Sequence, residues 1–454
     1  MKRPVADIVV LLPGITGSVL QRGDRDVFAL SAGAGWRALT SRGKSLSELI
    51  LGEDPVDVDD LGDHVRATRL APDATLVPGL WKIDGYGKVA ATLRREFDLV
   101  PGENYFEFPY DWRRDNRVHA RRLQRESAEW LRRRREQAPG ARLVLIAHSM
   151  GGLVARYFLE VLGGWRDTRA LVTFGTPYRG SVKALNALVN GMPKLPFLEL
   201  TEVVRSCTSV YQLLPIYPCL DTGDGELHRL QDVTLDHLDA ERVRAADAFH
   251  REIERAVEAN RRDDDYQRDG YLIRPIVGVE QPTLQSAVLR AGGLEMLRTW
   301  NGEALDGDGT VPAVSAVPIE LSDLKQEFPA ATAHASLQNA DHVLRFVRTL
   351  LTEARQYRFR AGAPVTVSLD VDDVYLAGEP VVLHAQLSDR SRPAVGVIQS
   401  ADDGTPIAST PIPASDADWR EITFGALVPG VYRFVVAGGD DVQPASDLFA
   451  VMSG

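Results

Sequence analysis

The stretch that most constrains this chain is Leu143 to Gly152, L-V-L-I-A-H-S-M-G-G. Four apolar residues, Leu143 to Ile146, lead through Ala147 and His148 to Ser149, and a helical repeat of Leu153, Val154, Tyr157, Phe158 and Val161 begins at once. The pattern predicts a buried strand, a sharp corner at Ser149 and a helix. A serine at such a corner sits on a strained turn with its hydroxyl above the sheet edge. Strand and helix approach closely there, so the residues two places to either side must be small. Ala147 and Gly151 meet that demand, with Ala147 standing where the G-x-S-x-G signature has its first glycine. The alternative reading of these five residues alone is a serine that caps an ordinary helix.

At 454 residues the chain has room for two or three domains. Lys plus Arg number 52 against 63 Asp plus Glu, a formal charge of −11 that argues against a nucleic-acid partner. No run approaches the roughly 18 apolar residues of a membrane span, so no transmembrane segment is expected. Met1 to Pro4 followed by Val5 to Leu12 superficially resembles an export signal, but Asp7 interrupts the run and no small-residue cleavage site follows. That stretch reads as the first core strand, and the expected location is cytoplasmic. Cys207 and Cys219 are then expected as free thiols, and two cysteines without clustered histidines make no metal site. No cofactor is expected.

In chain order, the strand Ile8 to Leu12 ends in Pro13-Gly14-Ile15-Thr16-Gly17. This turn lacks the G-x-G-x-x-G spacing of a nucleotide loop. In a serine hydrolase the same loop lends a backbone N–H to the oxyanion, beside the N–H of the residue after the nucleophile. That points to Met150 and to Thr16 or Ile15. Residues 19–80 read as irregular. Tyr86, Val89, Ala90, Leu93 and Phe97 recur at helical spacing, Tyr105 to Phe108 reads as a strand, and 116–137 as an arginine-loaded helix with a solvated outer face.

Another buried strand, Ala170 to Phe174, completes an alternation that fixes the class as α/β with a mostly parallel sheet. Residues 182–268 then contain no clear strand and read as a cap over the site. Their apolar runs, Leu195-Pro196-Phe197-Leu198 and Tyr211-Gln212-Leu213-Leu214-Pro215, would either meet lipid chains in transient contact with a lipid surface or pack the cap on the body. The sheet resumes at Leu272 to Val279 and leads to Asp306-Gly307-Asp308-Gly309-Thr310-Val311-Pro312. A carboxylate here followed by a histidine gives the order Ser, Asp, His of triads on this architecture. His334 lies in the loop before a helix at Asp341 to Leu351, where an imidazole can reach back over the sheet. His342 lies on that helix and reads as surface. From Pro364 onward, alternating Val365, Val367, Leu369 and Val371 and later short runs read as an Ig-like β-sandwich, joined by a linker near 360–363.

These residues resemble the lecithin:cholesterol acyltransferase family of α/β-hydrolases. The matching stretches are Leu12-Pro13-Gly14 with Gly17, Pro109-Tyr110-Asp111-Trp112-Arg113, Ala147 to Gly151, Phe174-Gly175-Thr176-Pro177, Val277-Gly278 with Pro282-Thr283, Gly307 to Pro312, and His334. The resemblance implies an α/β-hydrolase with Ser149 as nucleophile, Asp308 as acid and His334 as base. It places the oxyanion donors at Thr16 and Met150. It also implies a serine-dependent lipid acyltransferase or lipase/phospholipase acting through an acyl-serine on acyl esters of lipids. The expected organisation is a hydrolase core at 1–181 and 269–358, a cap at 182–268 and a sandwich at 364–454. Two further readings are a small-ester carboxylesterase and a non-catalytic binding protein on a hydrolase scaffold.

Overall fold

A computed structural model describes residues 2–28, 47–71, 75–77, 81–192, 200–322, 327–352, 365–439 and 442–453. Six strands build the central sheet: Ile8–Leu12 (β1), Tyr105–Glu107 (β2), Leu143–His148 (β3), Thr168–Phe174 (β4), Leu272–Gly278 (β5) and Phe328–Ala330 (β6). They lie in the order β6-β5-β4-β3-β1-β2, every neighbouring pair parallel. An all-parallel sheet is covered on both faces, which is why β1 and β3 are unbroken apolar runs rather than alternating ones. Ile8, Val10 and Leu12 pack with residues of Asn116–Arg135 (α2) and Gly151–Arg156 (α3). Val9 and Leu11 face the other way, onto Gly87–Glu96 (α1) and Asp341–Thr352 (α4). Strand order reverses between β1 and β3, and in open α/β sheets the crevice beyond the strand ends at such a switch point is where ligands bind. The turn at 13–17 and the corner at Ser149 both lie there.

Two stretches carry more structure than their sequence suggests. In 19–80, Ser18–Arg22 pairs antiparallel with Arg25–Phe28 and Val65–Leu70. The acid-rich part wraps the buried Arg114, whose guanidinium meets the Asp54 carboxylate at 2.9 Å and the Val58 carbonyl at 2.7 Å. In 182–268, Leu220–Asp221 and Leu227–His228 are strands after all, in one four-stranded sheet with the hairpin Ser286–Arg290 and Gly293–Leu297. Two-residue strands carry no period to read. The same stretch holds the helix Ala240–Asn260, and Cys207 and Cys219 are buried free thiols. Tyr211, Leu213 and Leu214 are buried in the main core cluster, which favours packing over lipid contact for that run. Leu195 to Leu198 and the linker at 360–363 lie outside the described residues.

The C-terminal part is a two-sheet β structure. Val367–Asp370, Val381–Leu387 and Arg420–Phe424 form one sheet; Val374–Leu376, Ala394–Ser400, Pro406–Ile412, Gly430–Ala437 and Ala445–Met452 form the other. Val367, Leu383, Phe434 and Phe449 are among the residues that fill the space between them.

Candidate active site

Ser149 follows β3 directly, with φ +51°, in the left-handed region that non-glycine residues rarely adopt. Its N–H donates to the Phe174 carbonyl at 2.8 Å, and its own carbonyl accepts from the Thr176 hydroxyl at 2.9 Å. The demand for a small residue at 151 has a concrete cause: a Cβ there would collide with the Pro13 carbonyl oxygen. The corner is thus clamped between the loops after β1 and β4.

Asp308 and His334 come to this corner from two other loops. The Asp308 carboxylate accepts through Oδ1 from the N–H groups of Thr310 (2.9 Å) and Val311 (2.6 Å), and its Oδ2 lies 2.7 Å from His334 Nδ1. An ionised carboxylate only accepts, so Nδ1 carries the proton and the Nε2 lone pair is left for the Ser149 hydroxyl, 3.0 Å away. All three side chains are buried. Backbone reinforces the pair, because the His334 N–H donates to the Asp308 carbonyl at 2.7 Å. Gly175, at φ +53°, leaves room for them; a Cβ on it would lie 2.6 Å from Asp308 Oδ2 and 2.9 Å from His334 Nδ1. Asp306 instead turns its carbonyl to the Gln285 amide and stays out of the arrangement. His342 does not reach the site either. Contrary to the surface reading, it is half-buried, meets Gln443 of the sandwich at 3.1 Å, and burial pulls its pKa down to about 4.

Sequence reasoning missed the residues that hold the loop after β1. Gly14 N–H donates to the Tyr86 hydroxyl (2.7 Å), Tyr86 donates to His148 Nδ1 (2.9 Å), and His148 Nε2–H donates to the His334 carbonyl (3.2 Å). A carbonyl can only accept, which fixes this tautomer. Burial, reinforced by His334, holds the His148 pKa well below the usual 6.5, so the ring stays neutral. Tyr110, of the Tyr-Asp-Trp-Arg run, donates to the Pro13 carbonyl at 2.7 Å, and the buried Arg113 locks that run by pairing with Asp111 and Asp63. Only the run of unusual residues at 109–113 hinted at this. Thr16 is buried at φ +59°, strained for a β-branched residue. Among the described residues its hydroxyl has no partner, and neither the Thr16 N–H nor the Met150 N–H meets a protein acceptor.

Residues 81–257 match the family model for lecithin:cholesterol acyltransferase. Over this segment, somewhat over a third of the chain, the protein is similar to that family. A human protein named lysosomal phospholipase A and acyltransferase is 37% identical over 124 residues, 25% of this chain and 29% of that protein. The chicken phosphatidylcholine-sterol acyltransferase is 28% identical over 188 residues, 36% of this chain and 45% of that one. The chain therefore spans less than half the length of either relative. Among solved structures, Bacillus licheniformis lipase BlEst2 in mature form aligns at 13% identity and a TM-score of 0.36, over 78% of this chain and 95% of that one. The expected cytoplasmic location is corrected by the human protein and its rat and mouse counterparts, whose names place them in the lysosome. The start of a sequence was a poor physical guide to compartment. No helix of the described residues is long and apolar enough to cross a membrane, and no described cluster of His, Cys, Asp or Glu is arranged to hold a metal ion.

Proposed function

We propose that this chain is a serine-dependent acyl-transfer enzyme acting on acyl esters of lipids, with Ser149 as nucleophile, His334 as general base and Asp308 as the acid that orients it. The observation that carries the reading is the continuous hydrogen-bonded line from Asp308 through His334 to a serine held in a strained corner. His334 Nε2 takes the Ser149 proton as Oγ attacks the ester carbonyl. The N–H groups of Met150 and Thr16 receive the oxyanion, each lowering the barrier by about 3 kcal/mol. The tetrahedral intermediate then collapses: its bond to the leaving alcohol breaks, His334 returns the proton to that alcohol, and the acyl group remains on Ser149. Water or an acceptor alcohol repeats the sequence in reverse. We place the hydrolase body at 1–181 and 269–358, the cap over the site at 182–268, and an accessory sandwich at 364–454. Lipid as substrate class rests on the names of the relatives, which carry both phospholipase and acyltransferase.

The test is product analysis with phosphatidylcholine carrying a labelled acyl chain, with and without a sterol or diacylglycerol, beside Ser149→Ala. Label in a new ester that needs both acceptor and Ser149 establishes a transferase; free labelled fatty acid that needs Ser149 alone establishes a phospholipase. Turnover undiminished in Ser149→Ala would overturn the reading.

A further inference from the structure

The sandwich touches the body at the two loops that present Asp308 and His334. On the Asp308 side the buried part of the contact runs through Gln281, only 2% exposed. Its amide Nε2–H donates to the Val367 carbonyl at 3.1 Å and its Oε1 accepts from the Leu369 N–H at 2.9 Å, so the side chain pairs with a sandwich strand as another strand would. Its backbone N–H donates to the Gly307 carbonyl at 3.0 Å, beside Asp308. Its backbone carbonyl accepts from the Thr283 hydroxyl at 2.8 Å, and the same hydroxyl oxygen accepts from the Gly309 N–H at 2.8 Å. One strand of the sandwich is thereby tied, through Gln281, to both sides of the acid.

On the His334 side, Ala335 packs in a cluster with Ala401, Val431, Leu448 and Ala450, all four from the sandwich. Ser336 and Ser446 hydrogen-bond at 3.2 Å. The Ala335 carbonyl accepts from the Asp84 N–H at 2.8 Å, and the Asp84 carboxylate pairs with Arg433. Next to it the buried Lys82 lies 2.9 Å from Asp373 and 3.0 Å from Asp447. Charges buried in this way are tolerated only while both partners stay in place, which marks a permanent contact rather than a tethered module. β6, the strand that leads to His334, is three residues long and, among the described residues, has a paired strand on one side alone. A catalytic constellation must be held to a fraction of an ångström by rigid neighbours, and the sheet itself flanks this approach on one side only among the described residues.

We propose that the C-terminal sandwich braces the acid and base loops, and that Gln281 is the positioning residue through which it reaches Asp308. The inference rests on the triad reading above. It assigns the sandwich to the catalytic centre rather than to a separate binding task.

The test is Gln281→Met in the full chain, which keeps the bulk and removes both amide hydrogen bonds, beside Arg298→Ala. Arg298 makes an exposed ion pair with Asp370 on the same sandwich strand and serves as the control. For Gln281→Met the expected result is a kcat at least tenfold lower with KM within twofold. The acid limb of its pH profile should move to lower pH, because a displaced Asp308 no longer stabilises the His334 imidazolium. Arg298→Ala should match wild type. A folded Gln281→Met with wild-type kcat and pH profile would overturn the proposal. If that variant does not fold, the wild-type chain supplies the answer in a urea titration. Hydrogen exchange of peptides from 365–452 is followed beside the rate of Ser149 labelling by a fluorophosphonate. The two should change together, and unimpaired labelling of a chain whose sandwich peptides exchange freely would contradict the brace. Loss of turnover in Ser149→Ala with a wild-type Gln281→Met would sink the brace and leave the triad standing.

Discussion

Ser149 stands at the end of a strand with paired neighbours on both sides, whereas His334 follows a three-residue strand at the open edge of the sheet. The first is held by what is near it: the Phe174 carbonyl, the Thr176 hydroxyl and the loop at 13–17. Asp308 and His334 are held by residues scattered from Asp84 to Ala450. Ser149, the proposed nucleophile, is set in the middle of a parallel sheet and inherits rigidity from it. Its partners at the rim must borrow theirs.

That contrast can be broken by removing one group at a time. The largest effect is expected from Asp308→Asn. The substituted side chain can still accept from Thr310 and Val311, so the fold should survive, but it no longer dictates the His334 tautomer. kcat should fall by about 10⁴-fold, with unchanged thermal unfolding as the check that only chemistry was lost. On the centrally held side, Thr16→Val keeps the β-branch and the strained backbone while deleting the unpartnered hydroxyl. If that hydroxyl meets the oxyanion together with the backbone N–H groups, kcat should drop by roughly 10²-fold with KM little changed, and Thr16→Ser should restore most of it. A wild-type kcat for Thr16→Val would confine Thr16 to its backbone.

The smallest effect at neutral pH, growing on acidification, concerns stability. Burial depresses the pKa of His119 and His148 in the centrally held part, of His250 on the helix Ala240–Asn260, and of His342 on the sandwich-facing helix. Each takes up a proton near pH 6.5 once unfolded and resists it while folded. The stability they contribute is therefore present in full above about pH 6.5 and is lost as pH falls towards the native values. His250, brought down to about 4, alone accounts for on the order of 3 kcal/mol at pH 4. Melting temperature measured from pH 7.5 to 4.5 should decline, and His250→Gln should flatten that decline.

The same contrast governs what the sequence makes legible. β1 and β3 are apolar runs bounded by glycine and serine, and the small residues Ala147 and Gly151 encode a close approach within a few positions of Ser149. Local spacing suffices there. His334 and Asp308 were reachable through chain order and a short motif, but their support was not. Gln281 acts on residues 86 and 88 positions away, and Tyr86 on His148 across 62. Hydrogen bonds over such separations leave no periodicity. The hairpin Ser286–Arg290 with Gly293–Leu297 and the sheet at Ser18–Leu70 escaped notice because their strands are short and partly polar. His342 escaped because its covering partner, Gln443, belongs to the sandwich.

The most direct measurement is to incubate the intact protein with phosphatidylcholine, quench in acid within a turnover, and map the acylated residue by peptide mass spectrometry, beside His334→Ala. One fatty-acyl adduct is expected, on Ser149, forming far more slowly without His334. An adduct on any other residue, or product formed with Ser149 never acylated, would contradict the acyl-serine reading.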